Sequence, residues 1–486
     1  MATPAAVLGL DVGTTAIKCS VTTASHEILG QSSATINHAP GSVVAVSAIL
    51  RALQEALRSL GALLDAVQLD AIAICGQMHG IVWWSAAEVP SAATHFADAP
   101  HPLPWSELIT WQDTRCSRPF LDTLQQRRAA LAGPEASSPS PLASGYGVAT
   151  YAHVLAHAPA TLERFDTCGT IMDLVAFVLA GLSSPAHASM DTTNAFSWGG
   201  FDLATLSWDA ATLDACGIPP QMLPRVRRPG IDVVGESSAP AAVTFGLPLG
   251  VPVYVPMGDH PCAVAALLDS AALDATSALF VNIGTSAQLA FVLESATTTT
   301  ESSSSGSFEV RPYFDAQQIA VVAALTGGNV FAAFVASAIE WTRCLCPSVT
   351  LAPSDVYATV IAAAKRDTTL QCRPTLLGER TPGLETGTLS QLAMDNWTLG
   401  DMSAAIARGI VDNLFALLPT HLQGSLQSRC VVGSGNALVR NELLRYYIQD
   451  RTGAPLRLAP SSDASVGATL VVWRHLVASG QKSYSE

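Results

Sequence analysis

The 486 residues are 49% hydrophobic and 13% charged, with a mean hydropathy of +0.33. That composition excludes a mostly disordered chain, and the length accommodates two to four ordinary domains or two large ones. With 25 basic against 39 acidic residues, a net charge of −14 and no basic run longer than those around Arg127-Arg128 and Arg225–Arg228, nucleic acid is not an expected partner.

Positive hydropathy raises the question of a membrane span, which needs about 18 consecutive apolar residues. The uncharged stretch Ala316–Ile339 is interrupted by Thr326, Gly327, Gly328 and Asn329, and Ala275–Leu293 has Asn282, Gly284, Thr285, Ser286 and Gln288 at its centre. Both patterns predict a buried strand followed by a polar turn, so no membrane partner is expected. The N-terminus lacks the basic segment of a signal peptide, and the expected location is the cytosol. Ten scattered cysteines show neither a disulfide framework nor paired Cys-x-x-Cys zinc ligands, and reduced thiols are expected.

In chain order, Leu8–Val21 reads as a strand, a Gly13-Thr14-Thr15 turn and a second strand. Val44–Leu64 repeats apolar residues at helical spacing, and Leu69–Cys75 is a short buried strand that runs into Gly76-Gln77-Met78-His79-Gly80. Glycines after a buried strand mark the end of an open sheet where ligands bind. Gly133–Pro141 and the Thr/Ser-rich 297–306 read as surface insertions. After Pro229–Leu249 comes the apolar strand Val251–Pro256, then Met257-Gly258-Asp259-His260-Pro261-Cys262 and a helix. A domain boundary is expected near Asp259.

Leu279–Val292 then repeats Leu8–Val21, with Gly284 for Gly13, Thr285 for Thr14, Ser286 for Thr15 and Asn282 for Asp11. Gly327-Gly328-Asn329 forms another small-residue turn, and Val431–Leu444 reads as a strand, a Gly433-Ser434-Gly435-Asn436 turn and one amphipathic helix.

Tight Gly-Thr turns present N–H and O–H donors that cradle phosphate without adding charge, and two of them suit a polyphosphate. Asp11 is able to hold a metal, directly or through water, where the amide of Asn282 does so poorly. Lys18 supplies a local cation in an acidic chain. Asp259 suits either a helix N-cap or a general base, and His260, followed by proline, suits a positional role.

These motifs, in this order, resemble the FGGY family of carbohydrate kinases: Leu8–Lys18 and Asn282–Ser286 its two phosphate motifs, Cys75–Gly80 its sugar motif, Met190–Pro224 its central segment, Gly258-Asp259 its catalytic pair and Val432–Asn436 its adenosine motif. Within the family, Thr110–Cys116, Gly169–Asp173, Gly327–Asn329, Thr375–Arg380 and Gly433–Asn441 resemble the sedoheptulokinase branch, with the xylulokinases next. His260-Pro261 departs from the family pattern after the catalytic Asp, which puts a sugar contact from residue 260 in doubt.

The resemblance implies an α/β fold of two actin-like (ribonuclease-H-like) domains, 1–258 and 259–486, with ATP and sugar in the cleft between them. It implies ATP-dependent phosphorylation of a ketose at its terminal primary hydroxyl, sedoheptulose giving sedoheptulose 7-phosphate, with D-xylulose or another pentulose as the alternative acceptor. Asp259 is then the base and Asp11 organises Mg2+ through water. Gly13, Thr14, Thr15, Lys18, Gly284, Thr285, Gly328, Asn329, Gly433, Gly435 and Asn436 face ATP, and Gln77, Met78, His79 and Asp113 hold the sugar beside Asp259. Two other classes remain open, an actin-like ATPase acting on proteins and a sugar sensor without catalysis.

Overall fold

The computed structural model describes residues 3–96, 102–133, 139–293, 307–379, 384–426, 429–459 and 462–480. The insertion at 297–306 and Arg380 lie outside the described residues. The chain divides into two compact units, one of Met1–Ala266, Pro312–Ala316 and Ser462–Glu486, the other of Leu267–Arg311 and Gln317–Ser461. The compact units first divide at Ala266/Leu267, and the C-terminal segment from Ser462 is grouped with the first unit.

The first unit holds a mixed sheet built from β1 (Ala5–Val12), β2 (Ala16–Thr22), β3 (Ile28–Thr35), β4 (Gln68–Gly76), β5 (Val233–Glu236), β6 (Pro252–Tyr254) and β7 (Met257–Gly258). Its order is β5-β6-β4-β1-β2-β3, and β7 also pairs with β4. β1 and β2 form the expected hairpin, while β4 runs parallel to β1 and β7 parallel to β4.

Along β1 the alternation of a strand sorts side chains onto two faces. Ala6, Leu8, Leu10 and Val12 join a core with Ile49, Leu50 and Leu53 of α1 (Val46–Ser59) and with Leu174 and Val178 of α2 (Ile171–Leu179). The other face, at Gly9, meets the C-terminal helix 464–478, and a Cβ at Gly9 would run into the Ser465 carbonyl. That close approach explains a glycine in the middle of a buried strand. Hydroxyls then fasten the helix to β2, with Ser20 Oγ 2.6 Å from Ser465 Oγ and Thr22 Oγ1 2.8 Å from Thr469 Oγ1.

The second unit repeats the pattern with β8 (Ala278–Ile283), β9 (Ala287–Val292), β10 (Phe308–Pro312), β11 (Gln318–Ala324), β12 (Cys430–Ser434) and β13 (Leu456–Leu458), in the order β10-β11-β9-β8-β12-β13. The run β12-β8-β9-β11 reproduces β4-β1-β2-β3: a parallel neighbour, the first strand, its hairpin partner and a third antiparallel strand. The sequence repeat is therefore a structural one.

Ala316–Ile339 resolves into β11, a turn and the start of a helix over Gly328–Leu345. Among the described residues no helix is long and apolar enough to cross a membrane. All ten cysteines are free. The single helix expected after β12 is instead two, Asn436–Arg440 and Glu442–Thr452. Asn441 Oδ1 accepts from Leu443 N at 3.0 Å and Leu444 N at 3.4 Å, an N-cap that restarts the helix.

Gly9→Ala should lower stability by about 1–3 kcal/mol, the usual penalty for forcing atoms into a packed core. Gly284→Ala, where a Cβ meets nothing within 4 Å, should leave the denaturation midpoint unchanged. Chemical denaturation of the two variants beside the parent checks both.

Candidate active site

In the first unit, register brings the predicted residues together. Val12 pairs with Gly76 and Gly76 with Gly258, so β1, β4 and β7 end on one rung, all pointing the same way. Just beyond that rung come Gly13-Thr14-Thr15, Gln77-Met78-His79 and Asp259, at the carboxyl ends of parallel strands where open sheets bind ligands. One rung earlier lie Asp11, Cys75 and Met257.

Asp11 is buried, and its Oδ1 has no hydrogen-bond partner among the described residues. Burial first, and then the neighbouring Asp259 carboxylate, push its carboxyl from 3.8 up to about 7; Lys18, its partner across the hairpin, opposes this and Asp463 adds to it. Asp463 is the N-cap of the C-terminal helix, accepting from Ser465 N at 3.0 Å and Ser465 Oγ at 2.7 Å. Nothing local in the sequence marks Asp463, because its neighbour Asp11 lies 452 positions earlier.

The Gly13 turn has its carbonyls tied back. Gln77 Nε2 donates to Gly13 O at 3.1 Å, Gln77 N to Val12 O at 3.0 Å and Ile36 N to Thr15 O at 2.9 Å. The amides of Thr14 and Thr15 donate to no group among the described residues, which is the arrangement of an anion-binding turn. Thr14 Oγ1 accepts from the Trp111 indole at 3.1 Å, and Lys18 is exposed.

The sugar motif is equally constrained. Gln77 Oε1 is buried with no partner among the described residues. Met78 packs against Gly258, where a Cβ would lie 2.7 Å from its sulfur. His79 sits in left-handed backbone at φ 75°, stacks on Tyr146 with centroids 4.4 Å apart and an 11° tilt, and its Nδ1 lies 2.6 Å from Ser197 O. A carbonyl partner makes that nitrogen the donor, which fixes the neutral ring's tautomer.

Asp113 is buried, and Arg115 grips both its oxygens, Nε to Oδ1 at 2.7 Å and Nη2 to Oδ2 at 3.0 Å. Arg115 N and Ser42 Oγ add two further donors. Burial raises the carboxyl, but these hydrogen bonds outweigh it and hold it below its ordinary value. With all four lone-pair positions engaged, Asp113 serves Arg115 as an anchor, and Arg115 is the more exposed member.

Asp259 opens a helix over Asp259–Ser270 and its Oδ1 accepts from His260 N at 2.7 Å. The strand before it is steadied by Gly258 N donating to Thr193 Oγ1 at 3.2 Å, and Thr193 donates in turn to the buried Asp191 at 2.6 Å. Thr193 and Asp191 belong to the central segment singled out in the sequence, which by itself does not reveal that they support Gly258.

In the second unit, Gly284, Thr285, Gly328, Asn329, Gly435 and Asn436 also converge. Gly328 N donates to Gly284 O at 2.9 Å and Asn329 N to Thr285 O at 3.1 Å, so again the carbonyls are tied back while the amides of Thr285 and Ser286 have no acceptor among the described residues. Gly435, at φ 95°, packs on Asn282 and Ile283 so tightly that no Cβ fits. Gly433 lies within β12 against Leu438 and Leu456, a packing role. The Asn329 side chain binds its own turn, accepting from Gly327 N at 2.9 Å and donating to Leu325 O at 3.1 Å.

The profile of the FGGY family of carbohydrate kinases, N-terminal domain, matches residues 6–266, and a sedoheptulokinase of Homo sapiens is 34% identical over 98% of this chain and 98% of its own. The chain belongs to the FGGY family of carbohydrate kinases. The sedoheptulokinase of Mus musculus is 33% identical over 97% of this chain and 98% of its own. Among solved structures, a xylulose kinase from Rhodospirillum rubrum superposes with a TM-score of 0.77 at 18% identity, covering 99% of this chain and 91% of that one, which shows the shared fold. This FGGY protein is therefore a carbohydrate kinase with a sedoheptulokinase-like sequence, and kinases of the family use ATP.

The buried charge at Asp11 has a stability cost that the second unit avoids with Asn282. A carboxyl raised from 3.8 to about 7 keeps its proton in the folded state while the unfolded chain loses it, so the parent loses stability as pH rises from about 4 to about 7 and recovers none above. Without divalent metal, Asp11→Asn should match the parent's stability near pH 4 and exceed it above pH 7 by on the order of 1–4 kcal/mol, seen as a higher melting temperature. Thermal denaturation across that pH range in a chelating buffer checks the sign.

Proposed function

We propose that the protein transfers the γ-phosphoryl group of ATP to the terminal primary hydroxyl of a ketose, sedoheptulose giving sedoheptulose 7-phosphate, with Asp259 as general base. The observation that carries the reaction is the common rung at Val12, Gly76 and Gly258, which sets a phosphate-type turn, a polar sugar motif and a carboxylate side by side. The choice of sugar rests on the full-length similarity to the human and mouse sedoheptulokinases.

On this reading Gln77 Oε1, the oriented His79 ring and Arg115, anchored by Asp113, bind the ketose hydroxyls, and Met78 sets the space beside Asp259. Asp259 takes the proton of the terminal hydroxyl as its oxygen bonds to the γ-phosphorus and the bond to the bridging oxygen of ADP breaks. The amides of Thr14, Thr15, Thr285 and Ser286 stabilise charge on the phosphoryl oxygens. The chain beyond Gly433 and Gly435 receives the adenosine.

Among the described residues no three His, Cys, Asp or Glu side chains gather into a metal cluster. The buried Asp11 Oδ1, without a hydrogen-bond partner among the described residues, nonetheless suits a carboxylate that would hold Mg2+ through water. Such an ion neutralises charge on the transferring group.

Asp259→Asn should reduce kcat by about 10²–10⁴-fold, the usual worth of a general base, and leave ATP affinity nearly unchanged. Near-parental turnover in a coupled ADP assay would remove Asp259 from the role. In the same assay with sedoheptulose, D-xylulose, D-ribulose, L-ribulose and glycerol, sedoheptulose should give the highest kcat/KM. A preference for a five-carbon ketose would replace the substrate, and ADP release with none of the sugars would replace the reaction.

A further inference from the structure

The segment Thr375–Arg380 stood out in the sequence, yet neither the sugar nor the phosphate motifs account for it. Its Glu379 reaches the turn that joins β11 to the helix at Gly328. Glu379 Oε2 accepts from Leu325 N at 3.0 Å, and Oε1 from Thr326 N at 3.2 Å, Thr326 Oγ1 at 3.0 Å and Asn413 Nδ2 at 3.0 Å. Asn413 also donates to Thr326 Oγ1 at 2.8 Å. Asn413 and Thr326 are both buried, and Glu379 is held in its own loop by donating its amide to Leu384 O at 2.9 Å.

The chemistry of this contact is specific. β11 ends at Ala324, paired with Ala287, so the next two amides have left the sheet's ladder. One carboxylate takes both, together with the hydroxyl between them, as an external anion would in a backbone nest. The residues fixed in this way lead into Gly327, where a Cβ would lie 2.5 Å from the Ser286 backbone, and into Gly328 and Asn329, whose amides hold the Gly284 and Thr285 carbonyls. The chain of contacts is continuous from Glu379 to the Thr285-Ser286 amides.

We propose that Glu379 is a positioning residue for nucleotide binding: its carboxylate, backed by Asn413, holds the Leu325–Asn329 turn against the Thr285-Ser286 turn and so keeps that turn open to phosphate. The inference rests on the reading of Thr285-Ser286 as a phosphate turn of the kinase. A glutamine at 379 keeps the shape but turns an N–H2 donor toward a backbone N–H, so the clamp loses one side. Alanine loses both.

The test is calorimetric titration of the full chain with a non-hydrolysable ATP analogue and Mg2+, without ketose, alongside steady-state kinetics. Glu379→Gln should weaken analogue binding about tenfold and raise the KM for ATP in parallel, while the KM for ketose stays within about twofold; loss of a charge-assisted bond has that size. Asn413→Ala, which leaves the carboxylate in place, should show the same pattern at about threefold and serves if the first variant does not fold. Parental analogue affinity in either folded variant overturns the inference, as does an equal rise in both KM values. Analogue binding needs no acceptor, so a parent protein that binds ATP but phosphorylates no ketose would refute the proposed function and leave the role of Glu379 to be read from the titration alone.

Discussion

The registration of three parallel strands governs the first unit. Val12, Gly76 and Gly258 share one rung, with Asp11 on the rung before it and Gly13-Thr14-Thr15, Gln77-Met78-His79 and Asp259 directly after. Because side chains alternate along a strand, a slip of one residue in β1 would exchange Asp11 with the core-facing Leu10 or Val12. The register is protected from both faces. On one side Leu8, Leu10 and Val12 pack into the helices 46–59 and 171–179, and on the other Gly9 admits the last helix. That helix also brings Asp463 toward Asp11, so the element that closes the core helps set the charge at the site.

Duplication supplied the same frame twice, and the copies differ where chemistry requires it. Both turns tie their carbonyls back, but with different partners. Gln77 and Ile36 do it in the first unit, and the backbone of Gly328 and Asn329 in the second. The first solution places the Gln77 side chain against the Gly13 turn, which couples the two segments through one residue. The second is a backbone brace, and a brace needs an anchor of its own. Glu379 provides it, which explains a carboxylate beside a turn that has no use for negative charge toward a ligand.

Much of this was legible in the sequence because strands, Gly-Thr turns and the repeat are local patterns. The Gly13 and Gly284 hairpins, the turn within 316–339 and the helix after Asp259 all appear where the residues predict them. What was not legible depends on pairs far apart in sequence. Nothing local marks the return of the last helix to the first unit, although Gly9 in a buried strand is its imprint. The amphipathic pattern runs straight through Asn441, and only the structure shows its side chain capping a second helix. Arg115 lies two positions from Asp113 in sequence, yet only geometry shows the carboxylate saturated, by Arg115 and Ser42, and the guanidinium as the more exposed partner.

An acidic protein of net charge −14 that binds a polyphosphate has to overcome its own field. A cluster of lysines would do so, but around these turns Lys18 is the cation among the residues the sequence assigns to ATP. In each unit the tied-back carbonyls hold the turn so that its amides, Thr14 and Thr15 in one and Thr285 and Ser286 in the other, are left without acceptors among the described residues; on the proposed function these dipoles take the place of lysines, with their reorganisation cost met in folding. The carboxylates near them then divide by their partners. Glu379 and Asp113 are satisfied by donors and act on structure. Asp11 keeps a buried oxygen without a donor among the described residues, and burial of that carboxyl is a cost in stability that the satisfied pair avoids.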